Sequence, residues 1–197
     1  KLMLNQKSIT KHTTRARVKI IKSVLWAGFT FAFLGAAFIY SGLYPVGADT
    51  QHNKLTYALL ETVREQSIAR ASSSVKVPDL SNPDLLLAGG PDYNEMCATC
   101  HLKPGVEQSD MSIGLYPTPP NLAKDRTLGL ADLESAQRDF CIIKHGIKAS
   151  GMPAWGPTHD DARIWAMVAF INKLPNLATE HYQILTARGE DDSGSHH

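Results

Sequence analysis

Between Lys22 and Asp49 the sequence carries no charge, and Ser23–Tyr44 is a run of 22 uncharged residues rich in Phe, Ala and Leu. As a helix at 1.5 Å per residue such a run spans roughly 33 Å, enough for a hydrocarbon core of roughly 30 Å. Trp26 lies near one end and Tyr40 and Tyr44 near the other, where interfacial aromatics belong. A cleaved export signal is the competing reading, with Val46-Gly47-Ala48 as its cut. Its apolar region would be about 7–15 residues, so a retained transmembrane helix over 23–44 is the expectation. Gly28 and Gly35 offer that helix a weak packing face.

The net charge of +1 hides an asymmetry. Residues 1–22 hold seven basic residues and no acid, which leaves 13 basic against 19 acidic residues in the rest of the chain. The positive-inside rule then puts the 1–22 tail in the cytoplasm and everything after Pro45 outside it. The expected location is the bacterial inner (cytoplasmic) membrane, single-pass, with the C-terminal part in the periplasm. A net charge this small excludes a globally basic nucleic-acid binder, and no nucleic-acid partner is expected. Three cysteines are too few for a disulfide scaffold.

Past the anchor the periodicities are helical. Leu55, Leu59 and Val63 fall at i, i+4 and i+8 within His52–Ala71, with Lys54, Glu61, Arg64, Glu65 and Arg70 on other faces. This helix either packs on its own domain or docks on the membrane or a partner subunit. Ser72–Ser74, Pro78 and Pro83 mark a linker. Asn82-Pro83 reads as an N-cap and first-turn proline, and Gly89-Gly90-Pro91 predicts a break in the helix that follows. Residues 102–129 read as loop. A helix over Ala131–His145 turns Leu133, Ala136, Phe140 and Ile143 inward. A second loop covers 146–157. Thr158 with Asp161 resembles a capping box for a helix over 159–173, whose inner positions are Ile164, Trp165, Met167, Val168, Ala169 and Ile171. The tail from Thr186 onward is polar and expected to be without regular structure. Nothing alternates with period two, so the fold class is all-α.

Residues 97–101 read Cys-Ala-Thr-Cys-His. Two thiols three positions apart can add to the two vinyl groups of a haem, with the next histidine under the iron as axial ligand. The rivals are a thioredoxin-like redox pair, which wants a βαβ setting, and half of a zinc site, which lacks a second ligand pair. An iron held by one histidine wants a sixth ligand or an open position. Met3 lies on the wrong side of the membrane. Met96 precedes the attachment cysteine on the same turn, and Met167 fits a helix core. That leaves Met111 and Met152. Met152 is the stronger candidate, in the Gly- and Pro-rich loop Ser150–Gly156.

Residues from about 85 to 175 resemble a class I c-type cytochrome. The resemblance rests on Gly89 and Tyr93 ahead of Cys97, on Pro120-Asn121-Leu122, and on Ile143–Ile147 followed by Gly151-Met152-Pro153-Ala154-Trp155. It implies that the glycine and aromatic of the first helix pack against Trp165. It implies too that the Pro120 carbonyl accepts the ring proton of His101, a bond that sets the tautomer and raises ligand basicity. By the same resemblance Pro120 and Leu122 line a pocket for one haem c, covalent through Cys97 and Cys100 and ligated by His101 and Met152. Cys141 reads as a small buried hydrophobe. His145 caps or lines its helix. His181, His196 and His197 are remote metal candidates, the last two also readable as the start of a tag.

The expected organisation is a basic tail (1–22), a transmembrane helix (23–44), an amphipathic helix and linker (45–84), a class I cytochrome c domain (85–180) and a polar tail (181–197). A closed His/Met site binds no substrate, so the expected function is electron transfer rather than catalysis, with no catalytic residues. The expected partners are the membrane and redox proteins, foremost an integral membrane oxidoreductase complex that the chain serves or joins. A haem enzyme or gas sensor with an open sixth position is one alternative. A docking or assembly subunit with a structural haem is the other.

Overall fold

The computed structural model describes residues 2–124, 132–148 and 150–187. Among these there are helices and loops but no strand, so the fold is all-α as expected. The chain divides into two units, Lys1–Gly47 and Ala48–His197.

The first unit is one helix, α1, over Leu2–Tyr40. Its segment Arg17–Tyr40 is long and apolar enough to cross a membrane, and none of it is buried within the protein. The helix stops four residues before the expected end. Ser41 Oγ bonds the Phe38 carbonyl, and Gly42 takes φ +65°, a left-handed conformation that ends the helical path.

In the second unit α2 spans Lys54–Ser72, with Asn53 as N-cap accepting from the Thr56 N–H. It packs on α6 (Asp132–His145). The face it uses is not the apolar one. Leu55, Leu59 and Val63 are 71%, 60% and 68% exposed. The side turned to α6 carries Glu65, whose carboxylate receives Arg138 at 2.8 and 2.9 Å and Arg64 at 3.0 Å. Arg64 also bonds Glu61 at 2.5 Å. Gln137 on α6 donates to the Val75 carbonyl at 2.7 Å and pins the linker.

Helix α3 runs over Pro83–Asp92 from the Asn82 cap, as the sequence predicts. The break expected at Gly89-Gly90-Pro91 does not occur. The two glycines let α3 lie against its neighbours closely enough to hold the helix through the proline. A Cβ on Gly89 would stand 2.1 Å from the Ala166 carbonyl oxygen, and one on Gly90 would stand 2.2 Å from that of Leu185. The missing proline donor is absorbed one step later. Tyr93–Cys97 form a π-helical turn before α4 (Ala98–His101), and the Tyr93 N–H reaches both Gly89 and Gly90 carbonyls.

Helix α7, Asp161–Lys173, is buried at every position from Ile164 to Ile171, because α3 lies along one side and α6 along another. The sides are distinct. Ala166 and Phe170, four apart, face α3, and the Phe170 ring sits 5.5 Å from that of Tyr93. Trp165 lies about 100° around the helix and stacks on Phe140 of α6 at 4.2 Å and 18°. The expected packing of Gly89 and Tyr93 on Trp165 is therefore corrected: the glycine meets α7 backbone, and the aromatic partner is Phe170. The cap of α7 is also displaced. Asp160, not Thr158, accepts from the Arg163 N–H at 2.8 Å.

On α6 the inward residues are Ala136, Phe140, Cys141 and Ile143, while Leu133 is 59% exposed. The expected loop 102–129 contains a short helix, α5 (Asp110–Gly114), closed by a Ser109/Ser112 capping box. Helix α8, Thr179–Thr186, crosses the boundary drawn at residue 180 and packs on α3. Its Tyr182 is 3% exposed, between the rings of Tyr93 and Phe170, and bonds Asn94 at 2.9 Å. The packed unit thus runs beyond 180. The tail past Ala187, with His196 and His197, lies outside the described residues.

Candidate haem site

The attachment pentapeptide straddles the π-helical turn and α4. Cys97 closes the turn and is 6% exposed, whereas Cys100, on α4, is half-buried. Burial, with Asp92 and Cys100 adding to it, pushes the Cys97 thiol up to about 12. A redox-active dithiol wants a thiol lowered toward neutrality, so this environment speaks against a thioredoxin-like pair. Among the described residues no cluster of His, Cys, Asp or Glu could hold a metal ion as a zinc site would.

His101 ends α4 with its ring directed by the next loop. Its Nδ1 lies 3.0 Å from the Pro120 carbonyl. A carbonyl only accepts, so Nδ1 carries the proton, and Nε2 is left with the lone pair an iron would take. Burial pushes the imidazole below its ordinary range, against the opposing pull of the Pro120 bond and of Asp139. The backbone is held as firmly. The Leu122 N–H donates to the His101 carbonyl at 3.0 Å, and Asn121 Oδ1 accepts from the Ala123 N–H at 3.0 Å. Leu102, the next residue, takes φ +67°, unusual for a branched side chain. The Tyr93 hydroxyl donates to its carbonyl at 2.7 Å and holds the turn. Tyr93 was read from sequence only as a packing aromatic. Its hydroxyl role needed the neighbouring turn to be seen.

The methionine loop is folded back on the end of α6. Gly146 takes φ +64°, and a Cβ there would come within 2.8 Å of Met152, Pro153 and Ala154 backbone atoms. The Ile147 N–H donates to the Met152 carbonyl at 3.2 Å, and the Trp155 and Gly156 N–H groups donate to Ile143 and Lys144 at 3.0 and 2.9 Å. Ser150 Oγ accepts from the Met152 N–H at 3.1 Å. Gly151 leaves room for Leu115, whose Cδ2 would be 2.5 Å from an added Cβ. The Gly after His145 is a readable helix stop. Leu115 had no local signal.

These parts converge. Met152, Trp155 and Leu122 pack against the same apolar cluster that contains Cys97, Phe140 and Trp165. The candidate donors therefore have the chemistry for a haem: two thiols, one imidazole whose Nε2 carries the lone pair, and one thioether, with Cys97 and Met152 set on the apolar cluster. Met111 is 50% exposed on α5, and His145 is exposed. Cys141 is 5% exposed in the core, and burial raises its thiol.

The chain matches the family model of cytochrome c oxidase, cbb3-type, subunit III, over residues 85–171. The match covers less than half of the chain, and it includes the pentapeptide, the Pro120 loop and the methionine loop. No curated protein matches it. Such domains carry haem c and transfer electrons, and the segment that binds His101 to Pro120 and folds Met152 onto α6 is thereby identified: residues 85–171 are a class I c-type cytochrome domain.

Proposed function

We propose that this chain is a membrane-anchored monohaem cytochrome c that passes single electrons on the periplasmic side of the bacterial inner membrane. It acts as a carrier to, or a subunit of, a respiratory or other membrane redox complex. Cys97 and Cys100 would attach the haem, His101 and Met152 would ligate its iron, and Pro120 and Leu122 would line the pocket. The observation that carries this is the His101 Nδ1–Pro120 bond, which presents Nε2 from a fixed imidazole beside the attachment cysteines. The haem supplies one-electron redox chemistry, and His/Met ligation sets a higher potential than more electron-donating ligands do. The protein orients the imidazole and holds Met152 through its N–H on Ser150 Oγ and its carbonyl on the Ile147 N–H.

The apolar segment Arg17–Tyr40 supports the anchor, and the seven basic residues ahead of residue 23 support a cytoplasmic N-terminus. The name of the matched family, a subunit of a cbb3-type oxidase, supports a place beside a respiratory complex. Tethering raises the effective concentration for membrane partners.

The test is a visible spectrum of the reduced protein, purified from its native membrane, with and without carbon monoxide. Covalent c-type bands that carbon monoxide leaves unchanged are the expected result. A carbon monoxide shift would move the protein to an open-site enzyme or sensor, and absence of haem bands would end the cytochrome reading.

A further inference from the structure

Helix α2 packs a charged side inward and leaves apolar residues exposed. Its acids, Glu61 and Glu65, are tied up by Arg64 and Arg138 on the side toward α6. Its opposite side exposes Leu55, Leu59 and Val63, with Leu60 51% exposed at the margin. The charged side chains left exposed on α2 are Lys54 and Arg70, both basic, on a chain that is acidic overall after residue 22. Leu55, Leu59 and Val63 face solvent at i, i+4 and i+8, with the exposed Arg70 on the same side and Lys54 in line with Glu61 on the side toward α6, so the apolar patch carries a basic and no acidic neighbour.

The length of chain between this helix and α1 bears on what covers it. Only residues 41–53 separate α1 from α2. At about 3.5 Å per residue they reach no further than roughly 45 Å. The near end is also fastened: the His52 N–H bonds Tyr116 Oη at 3.3 Å, and the two rings meet edge to face at 5.3 Å. The start of α2 is thus held to the haem domain's own loop, and the short connection tethers it to the apolar segment, which raises the effective concentration of a lipid surface.

We propose that the Leu55–Leu59–Val63 face of α2 rests on the bilayer surface, its apolar side chains in the headgroup–acyl boundary and Arg70 at anionic headgroups. The haem domain is then carried on the membrane and does not swing freely on its tether. This rests on the anchor reading above. Long basic side chains reach to the headgroups from such a position.

The experiment uses the full haem-loaded chain in liposomes of phosphatidylcholine and phosphatidylglycerol. A benzophenone amino acid replaces Leu59 in one preparation and Phe33, within α1, in another. Irradiation is expected to give phospholipid adducts at both positions. At position 59 the yield should fall at least threefold in pure phosphatidylcholine, and at least fivefold with Leu55→Gln and Val63→Gln, the haem spectrum staying unchanged. Adducts at 33 and none at 59 would overturn the docking and leave the anchor standing. No lipid adduct at 33 would remove both. Adducts at 59 only to a second copy, or only to another protein in native membranes, would replace the bilayer with that partner.

Discussion

His101 donates its Nδ1 proton to the carbonyl of Pro120, nineteen residues away, across 3.0 Å. The bond depends on the 120–123 loop, which Asn121 braces through the Ala123 N–H. Asn121→Ala should loosen it and make the imidazole a weaker donor. Weaker donation favours the reduced haem, so the midpoint potential should rise. A net hydrogen bond of about 1 kcal/mol corresponds to at most ~40 mV for one electron. Redox titration checks the sign, and an unchanged or lower potential would speak against the bond's role.

Met152→Ala tests the sixth position. The loop backbone is held by Ser150, Ile147 and the Gly146 turn and does not depend on the thioether. The variant should fold, with a loss of about 2 kcal/mol for truncating a partly buried side chain. Its reduced spectrum should shift with carbon monoxide where the parent's does not.

Gly89→Ala puts a methyl 2.1 Å from the Ala166 carbonyl oxygen, a backbone atom that cannot move aside alone. The α3–α7 contact must open, at a cost of about 3 kcal/mol. Gly114→Ala, with nothing within 4 Å, is the control and should stay within about 0.5 kcal/mol. Thermal unfolding of the two variants compares them.

Arg163 reaches from α7 to Asp92 at the end of α3 with two bonds of 2.5 and 2.7 Å, and Asp92 is 5% exposed. Arg163→Met leaves a buried carboxylate without its cation. Removing one partner of a fully buried pair costs about 3–5 kcal/mol. Arg163 is itself partly exposed, so the loss should fall at or below ~3 kcal/mol. Asp92→Asn with Arg163→Met should recover part of it, and chemical denaturation of both variants measures the difference.

The α2–α6 contact should be acid-labile. Burial raises the Glu65 carboxyl, but the Arg138 and Arg64 bonds outweigh it and hold the group below its ordinary value. A lowered folded value means that the contribution is complete above the unfolded carboxylate range, near 4.5, and is lost as pH falls below it. Solvent screening keeps it to no more than about 1 kcal/mol. Hydrogen exchange in α2 should quicken below pH 4.5 in the parent, and Glu65→Gln should flatten that dependence.

The residues themselves determined the local chemistry. The uncharged apolar run is long enough to cross a membrane as a helix, the Cys-Ala-Thr-Cys-His spacing has the pattern of haem attachment, and Asn82-Pro83 and His145-Gly146 start and stop helices through local capping. These features act within a few residues, so one sequence suffices to read them. Tertiary structure decided which face meets which. Periodicity gave α2 an apolar stripe but not its direction, and the Glu65–Arg138 pair, seventy-three residues apart, turned the stripe outward. The helix through Gly89-Gly90-Pro91 survives because Ala166 and Leu185 backbones close on the glycines. Trp165 left the Tyr93 contact to Phe170 because a helix turns by about 100° per residue, and only the placement of α3 and α6 selects between neighbouring positions.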